Sequence, residues 1–163
     1  MAAAELTVET LANVYRAGYP HFLRVSEAIT GDVESARDAV HEGFVNAIRR
    51  RGTFRGTGPV EGWVWRCVVN AAKHTRRGRR DSWTELPDQP APPHPDPNDD
   101  VTSAIARLPE RQRLALFLRY YGDLDYEAIA EALEISSGAV GASLNKAHRR
   151  LRSTLREVHV DRS

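Results

Sequence analysis

The chain has 163 residues with 41% hydrophobic and 28% charged side chains, proportions of an ordinary globular protein with room for one domain or two small ones. Its single cysteine, Cys67, excludes an internal disulfide, and its six scattered histidines show no zinc-ligand spacing. The net charge of +1 conceals segregation: residues 41–80 carry 10 basic and 2 acidic side chains, whereas residues 81–140 carry 4 and 12. A basic block, an acidic block and a second basic stretch over residues 141–163 point to two polyanion-facing surfaces. No apolar run approaches the length of a membrane span, and the N-terminal stretch lacks the basic start and apolar middle of a signal peptide, so a cytoplasmic protein is expected.

In chain order, residues 5–18 are weakly amphipathic, and Gly18-Tyr19-Pro20 predicts an interruption. Pro20 suits the first turn of a new helix, whose apolar residues are Phe22, Leu23, Val25, Ala28 and Ile29 and whose stop is Gly31. Asp32 caps the next helix, expected to about Arg51, with Ala36, Val40, Phe44, Ala47 and Ile48 inward. Its open face is Glu34, Asp38, His41, Glu42, Val45 and Arg49. Residues 53–59 (TFRGTGP) read as a loop. A helix follows over about 60–77, with Trp63, Val64, Cys67, Val68 and Ala71 as its buried stripe. Cys67 then reads as a buried, inert thiol. Trp65, Arg66, Val69, Asn70, Lys73, His74, Arg76 and Arg77 fill the other sides. An aromatic and an amide interleaved with cations suit single-stranded DNA, since rings stack on bases and cations follow phosphates. Trp63 and Trp65 stand two apart and cannot share a helix face, so core packing is expected for at least one of them.

Residues 81–100 hold six prolines among Asp and Asn, which predicts a flexible linker dividing the chain into residues 1–80 and 101–163. A short helix over 101–107 is followed by another opened by Pro109, buried through Leu114, Phe117, Leu118 and Tyr121 and stopped by Gly122. Asp125 caps a helix with Ala128, Ile129, Ala132 and Leu133 on one face. After the break at Glu134-Ile135-Ser136, Ser136 or Ser137 caps a last helix striped by Val140, Leu144, Ala147, Leu151, Leu155 and Val158. A short helix, a tight turn and a longer helix with a basic far end is the layout of a DNA-binding helix-turn-helix. An ordinary helical hairpin has the same pattern. No spaced set of Glu, Asp, His, Ser or Cys forms a triad, metal site or phosphate loop, so neither an enzyme nor a cofactor is expected.

The segments YRAGYPHFLRVSEAITGD, ESARDAVHEGFVNAIRR and GWVWRCVVNAAKHTRRGRR, followed past the linker by LPERQRLALFLRYYGDLDYEAIAEALEISSGAV and LNKAHRRLR, resemble in order and spacing the bacterial sigma factors of the extracytoplasmic-function type. These keep only regions 2 and 4 of the sigma-70 family. The resemblance implies an all-α fold of two small helical domains. It also implies core RNA polymerase and promoter DNA as partners, and an anti-sigma protein as a further, unidentified one. Asp38, Glu42 and Val45 would meet the clamp helices of the largest polymerase subunit. Phe54 and Arg55 in the loop, with Trp63, Arg66, Asn70, Lys73, Arg76 and Arg77, would capture the −10 element, where a base of the non-template strand flips out of the stack. Ser136, Ser137, Ser143, Asn145, Lys146 and Arg149 would face the −35 element, and an apolar surface around Leu116 and Tyr120 would meet the polymerase flap. The alternative is a stand-alone helix-turn-helix regulator.

Two departures from the family pattern bear on these roles. His41 and Gly43 replace the usual Gln and Thr or Ala beside Glu42, which weakens the expectation for the clamp contact. Gly141 and Ser143 stand where the recognition helix commonly carries cations, so a permissive −35 reading is expected, with promoter opening resting mainly on the first-domain surface.

Overall fold

A computed structural model describes residues 5–56, 58–83 and 99–161, and among them every regular element is helical. Helices α1 (Val8–Thr30), α2 (Val33–Arg50) and α3 (Val60–Trp83) pack on one another. Helices α4 (Asp99–Ala106), α5 (Glu110–Tyr120), α6 (Tyr126–Leu133) and α7 (Ser137–Asp161) form the second group, in which α7 touches each of the other three. The 15 residues between Trp83 and Asp99, most of the expected linker, lie outside the described residues.

Local chemistry sets most boundaries. Thr7 Oγ1 accepts from the Thr10 amide at 3.1 Å, Asp32 Oδ1 from Ser35 at 2.8 Å, Asp125 Oδ1 from Ala128 at 2.9 Å and Ser136 Oγ from Ala139 at 3.1 Å. Each satisfies an amide that a helix start leaves without a partner. Gly31 ends α1 at φ 97°, a left-handed conformation open to glycine without steric cost.

Tertiary packing overrides local preference in α1. The interruption expected at Gly18-Tyr19-Pro20 does not occur; the helix runs through Pro20. An interior proline costs about 3 kcal/mol, whereas burying Leu11, Phe22, Val25 and Ile29 contributes about 1.5–3 kcal/mol each. The carbonyl that loses its bond belongs to exposed Arg16, where water can serve it. Helix α3 likewise continues to Trp83, past the expected end near residue 77: no proline intervenes, and arginines are good helix formers. Residues 81–83, 99 and 100, read above as linker, are therefore helical.

The first core is aromatic at its centre. Trp65 lies against Phe22 with ring centroids 4.3 Å apart, and Phe22 meets Phe44 edge-on at 5.1 Å. Tyr15 meets the same Phe44 edge-on at 4.9 Å. Trp63 and Trp65 are both buried, since α3 is enclosed by α1 and α2 and also by α6. The Trp65 indole Nε1 finds no acceptor, a desolvation cost of about 1–3 kcal/mol that its packing has to exceed. Apolar packing runs without a break from this bundle into the second group of helices.

Gly43 explains how closely α2 and α3 approach. A Cβ at this buried position would stand 2.7 Å from Val68 Cα and 2.9 Å from its side chain. Glycine is there for space against backbone, and Gly43 is not part of an outward contact face. Gly43→Ala is expected to destabilise by about 1–3 kcal/mol through overpacking, reversing the gain of up to about 1 kcal/mol that alanine brings to an open helix position. Gly78→Ala, exposed in α3 with nothing within 4 Å of its Cβ, is expected to raise stability; thermal melts of the two variants check the opposite signs.

Candidate nucleic-acid and polymerase interfaces

Helix α2 spends its small residues, Ala36, Ala39, Gly43 and Ala47, on the inner face. Asp38, His41 and Glu42 are left exposed on the outer face, with Val45 half-buried. Val45 and His41 form one wall of a groove of about 400 Å³, with Val8, Leu11 and Tyr15 of α1 opposite. The periodicity of α2 announces the acidic face; the apolar groove beside it depends on how α1 is laid down.

On α3 the residues assigned to the −10 element recur at steps of three and four: Trp63, Arg66, Asn70, Lys73 and Arg77, with Arg76 adjacent. At 1.5 Å per residue the stripe is about 20 Å long. Asn70 and Arg77 are exposed, and Arg66, Lys73 and Arg76 are half-buried. Arg55 is exposed in the loop, and Phe54 folds back so that its ring meets Trp63 at 5.7 Å. Trp63 is only 8% accessible. In this arrangement it supports the loop rather than offering a ring to a base. Arg66 Nη2 is paired with Glu134 Oε1 at 2.9 Å. Cys67 lies on the neighbouring face, and burial pushes its thiol up from its ordinary range against the opposing pull of Arg66 and Arg50. At neutral pH it is protonated and a poor nucleophile.

On α7, Ser136, Ser137, Asn145, Lys146 and Arg149 are exposed. Ser143 is not: at 7% accessibility it lies within the buried stripe beside Val140, Leu144 and Ala147. Ser136 also has a structural duty, because its hydroxyl oxygen caps α7. Gly141 is half-buried, and a Cβ there would meet the Tyr126 ring at an ordinary 3.5 Å. The surface proposed around Leu116 and Tyr120 divides. Leu116 is buried at 5%, since α5 packs against α1, α6 and α7 and buries every residue from 114 to 118. Tyr120 is 64% exposed and its hydroxyl shares a 2.8 Å hydrogen bond with His148 Nε2. Tyr121, expected in the core, is exposed as well. Tyr126, missed in the sequence, is exposed and holds Arg119 over its ring at 5.8 Å.

Residues 14–82 match the family model of sigma-70 region 2 and residues 98–151 that of sigma-70 region 4. The ECF RNA polymerase sigma-E factor of Haemophilus influenzae is 30% identical over 141 residues, covering 74% of this chain and 75% of that protein. The chain belongs to the extracytoplasmic-function sigma factors of the sigma-70 family. The RNA polymerase sigma-H factor of Pseudomonas aeruginosa is 29% identical over 147 residues, 78% of this chain and 76% of the relative. The fold of this sigma factor is shared by a Bartonella quintana sigma factor, RpoE, solved with the anti-sigma factor NepR (TM-score 0.68, 18% identity, 91% of this chain and 98% of that one). It is also shared by CnrH, solved with the cytosolic domain of CnrY (TM-score 0.70, 19% identity, 95% and 93%). Among the described residues no helix is long and apolar enough to cross a membrane, and no three His, Cys, Asp or Glu side chains group to hold a metal ion.

The two departures on α7 are not equivalent. Gly141→Lys is expected to strengthen duplex DNA binding and to steepen its salt dependence by about one unit of log–log slope, as one added phosphate contact does. Ser143→Arg is expected to lower the melting temperature, because a cation would enter a buried position. DNA titration at several salt concentrations together with thermal melts separates the two.

Proposed function

We propose that this sigma factor docks on the clamp of core RNA polymerase through Asp38, Glu42 and Val45 of α2, with the groove beside Val45 taking an apolar side chain of the partner. The carboxylates steer and orient the encounter rather than supply most of its affinity. The observation that carries the nucleic-acid part is the single stripe of Arg66, Asn70, Lys73 and Arg77 along α3, joined at one end by Arg55. A strand laid along it would have phosphates on cations and a base edge at Asn70, with the Phe54–Trp63 pair shaping the loop where a base is flipped out. Strand capture of this kind needs no nucleophile and no metal, so the chain itself carries out no catalysis. The exposed polar face of α7 holds the −35 element through Lys146 and Arg149 on phosphates, with Asn145 and Ser137 toward the groove. Exposed Tyr120, rather than Leu116, faces the flap. The work is done in the cytoplasm with the polymerase, and an anti-sigma protein, of the kind NepR is to the Bartonella quintana factor, is the expected restraint.

Reconstitution with core polymerase tests this. The full chain is expected to co-purify with core and to direct promoter-dependent run-off transcription. Asp38→Arg with Glu42→Arg is expected to abolish co-purification. Asn70→Ala with Lys73→Ala is expected to leave it intact while lowering open-complex formation about tenfold or more, roughly the worth of one stacked or hydrogen-bonded base contact. A chain that forms no complex with core and yields no transcript above core alone would refute the proposal.

A further inference from the structure

Where α1 meets α5 the packing leaves a space. His21 Nδ1 stands 3.0 Å from the Tyr121 carbonyl oxygen, and Tyr121 also lines a cavity of about 480 Å³ between the end of α1 and parts of α3, α4 and α5. Ile29, Ile105 and Phe117 give it apolar walls, with the Phe117 and Tyr121 rings stacked at 5.8 Å. Cavities that hold small molecules combine this size with a mostly apolar lining and a few placed polar groups. The charged side chains that line this one, Arg76 of α3 and Arg113 of α5, are both cations, and no acid among the described residues lines it. Arg113 is fixed in position: its Nη1 donates to the Ala106 carbonyl at 3.2 Å and to the Leu108 carbonyl at 3.4 Å. Arg76 is half-buried and, among the described residues, has no carboxylate within ion-pair distance. A cation drawn partly out of water without a counter-ion is costly, and an anion entering the cavity offsets that cost.

We propose that this cavity is a binding site for an amphiphilic carboxylate, with the carboxylate on Arg76 and an apolar body of about ten carbons between Ile29, Ile105 and Phe117. The planar guanidinium matches a carboxylate with two parallel hydrogen bonds. A small inorganic anion would leave the apolar walls unused, and a neutral hydrocarbon would leave Arg76 without a counter-ion, so recognition requires both parts. Arg76 also belongs to the cations of α3 assigned to the promoter strand. One guanidinium cannot serve a carboxylate and a phosphate at once, so the guest withdraws Arg76 from the strand. That consequence, unlike the site itself, rests on reading α3 as the strand-capture surface.

The test is a calorimetric titration of the full chain, without polymerase, with decanoate, and in parallel with decanol and with acetate. Decanoate is expected to bind with a stoichiometry of one and to raise the melting temperature, since a guest that binds only the folded chain stabilises it. Decanol lacks the charge and acetate lacks the body, and each is expected to bind about tenfold more weakly or worse. Arg76→Gln removes the cation, and Ala106→Phe fills the cavity without a change of charge. Each is expected to weaken decanoate binding about tenfold or more. Arg111→Gln, at an exposed cation of α5 outside the cavity, is expected to leave it unchanged. Saturating decanoate is expected to weaken binding of a fluorescent A and T single strand to the wild type and not to Arg76→Gln. The site is overturned if decanoate shows no saturable binding, if decanol or acetate binds as tightly, or if both cavity variants bind as the wild type does. It is equally overturned if Arg111→Gln weakens binding as much as Arg76→Gln. Should Ala106→Phe not fold, Arg76→Gln and the decanol comparison decide. A strand affinity unmoved by saturating decanoate overturns the withdrawal of Arg76 from the strand and leaves the calorimetric result to support the site. Co-purification with core reports on the docking face of α2, so failure of the sigma-factor reading shows there and failure of this proposal does not.

Discussion

The approach of α2 to α3 at Gly43 is the contact on which the first half of the molecule depends. With Val68 backbone at 2.7 Å from where a Cβ would be, the two helices lie as near as side chains permit, and interiors this dense deform little. That closeness places Phe44 within reach of Phe22 and Tyr15, and it lets Trp65 be enclosed. It also fixes the rotation of both helices. The acidic face of α2 is turned outward, and the Arg66-to-Arg77 stripe of α3 lies on a face that the contact leaves uncovered along most of its length.

A helix that carries function on one side is usually covered on one side only. Helix α3 is covered by α1 and α2 and, at its beginning, also by α6. Its residues therefore divide along the length as well as around the circumference. At the far end Arg77 is exposed, and at the beginning Trp63 is buried and Arg66 is paired with Glu134. The cationic stripe thus lies beside carboxylates belonging to the same chain, with Arg66 paired to Glu134.

Much of this was legible in the residues. The caps at Asp32 and Asp125, and a serine cap at Ser136 or Ser137, were read from single side chains, because capping is chemistry within three residues; the structure selects Ser136. The stripe of α7 was read from its period, and the same period already held the signal for Ser143: three residues after Val140 and four before Ala147, it belongs with them. Other misreadings had no local remedy. Leu116 sits in a stretch, 114–118, that is buried on every side, which a one-sided stripe model cannot represent. Pro20 carries a local cost that only the summed burial of α1 exceeds. Tyr126 gave no periodic signal, since its role comes from Arg119 beyond the turn and from the bare surface at Gly141 on the next helix.

What the sequence by itself determined is the set of amphipathic helices, their capped starts, the segregation of charge and the family to which the order of segments belongs. All of these rest on interactions between neighbours in the chain or on sums over composition. Only the tertiary structure decided which of the marked residues are free to act. Trp63 and Ser143 are covered, Arg66 is paired with a glutamate 68 positions later in the chain, and Gly43 and Gly62 are contact surfaces for other helices. Burial and pairing of this kind arise between segments that meet only after folding, and no local pattern encodes a distance across the fold.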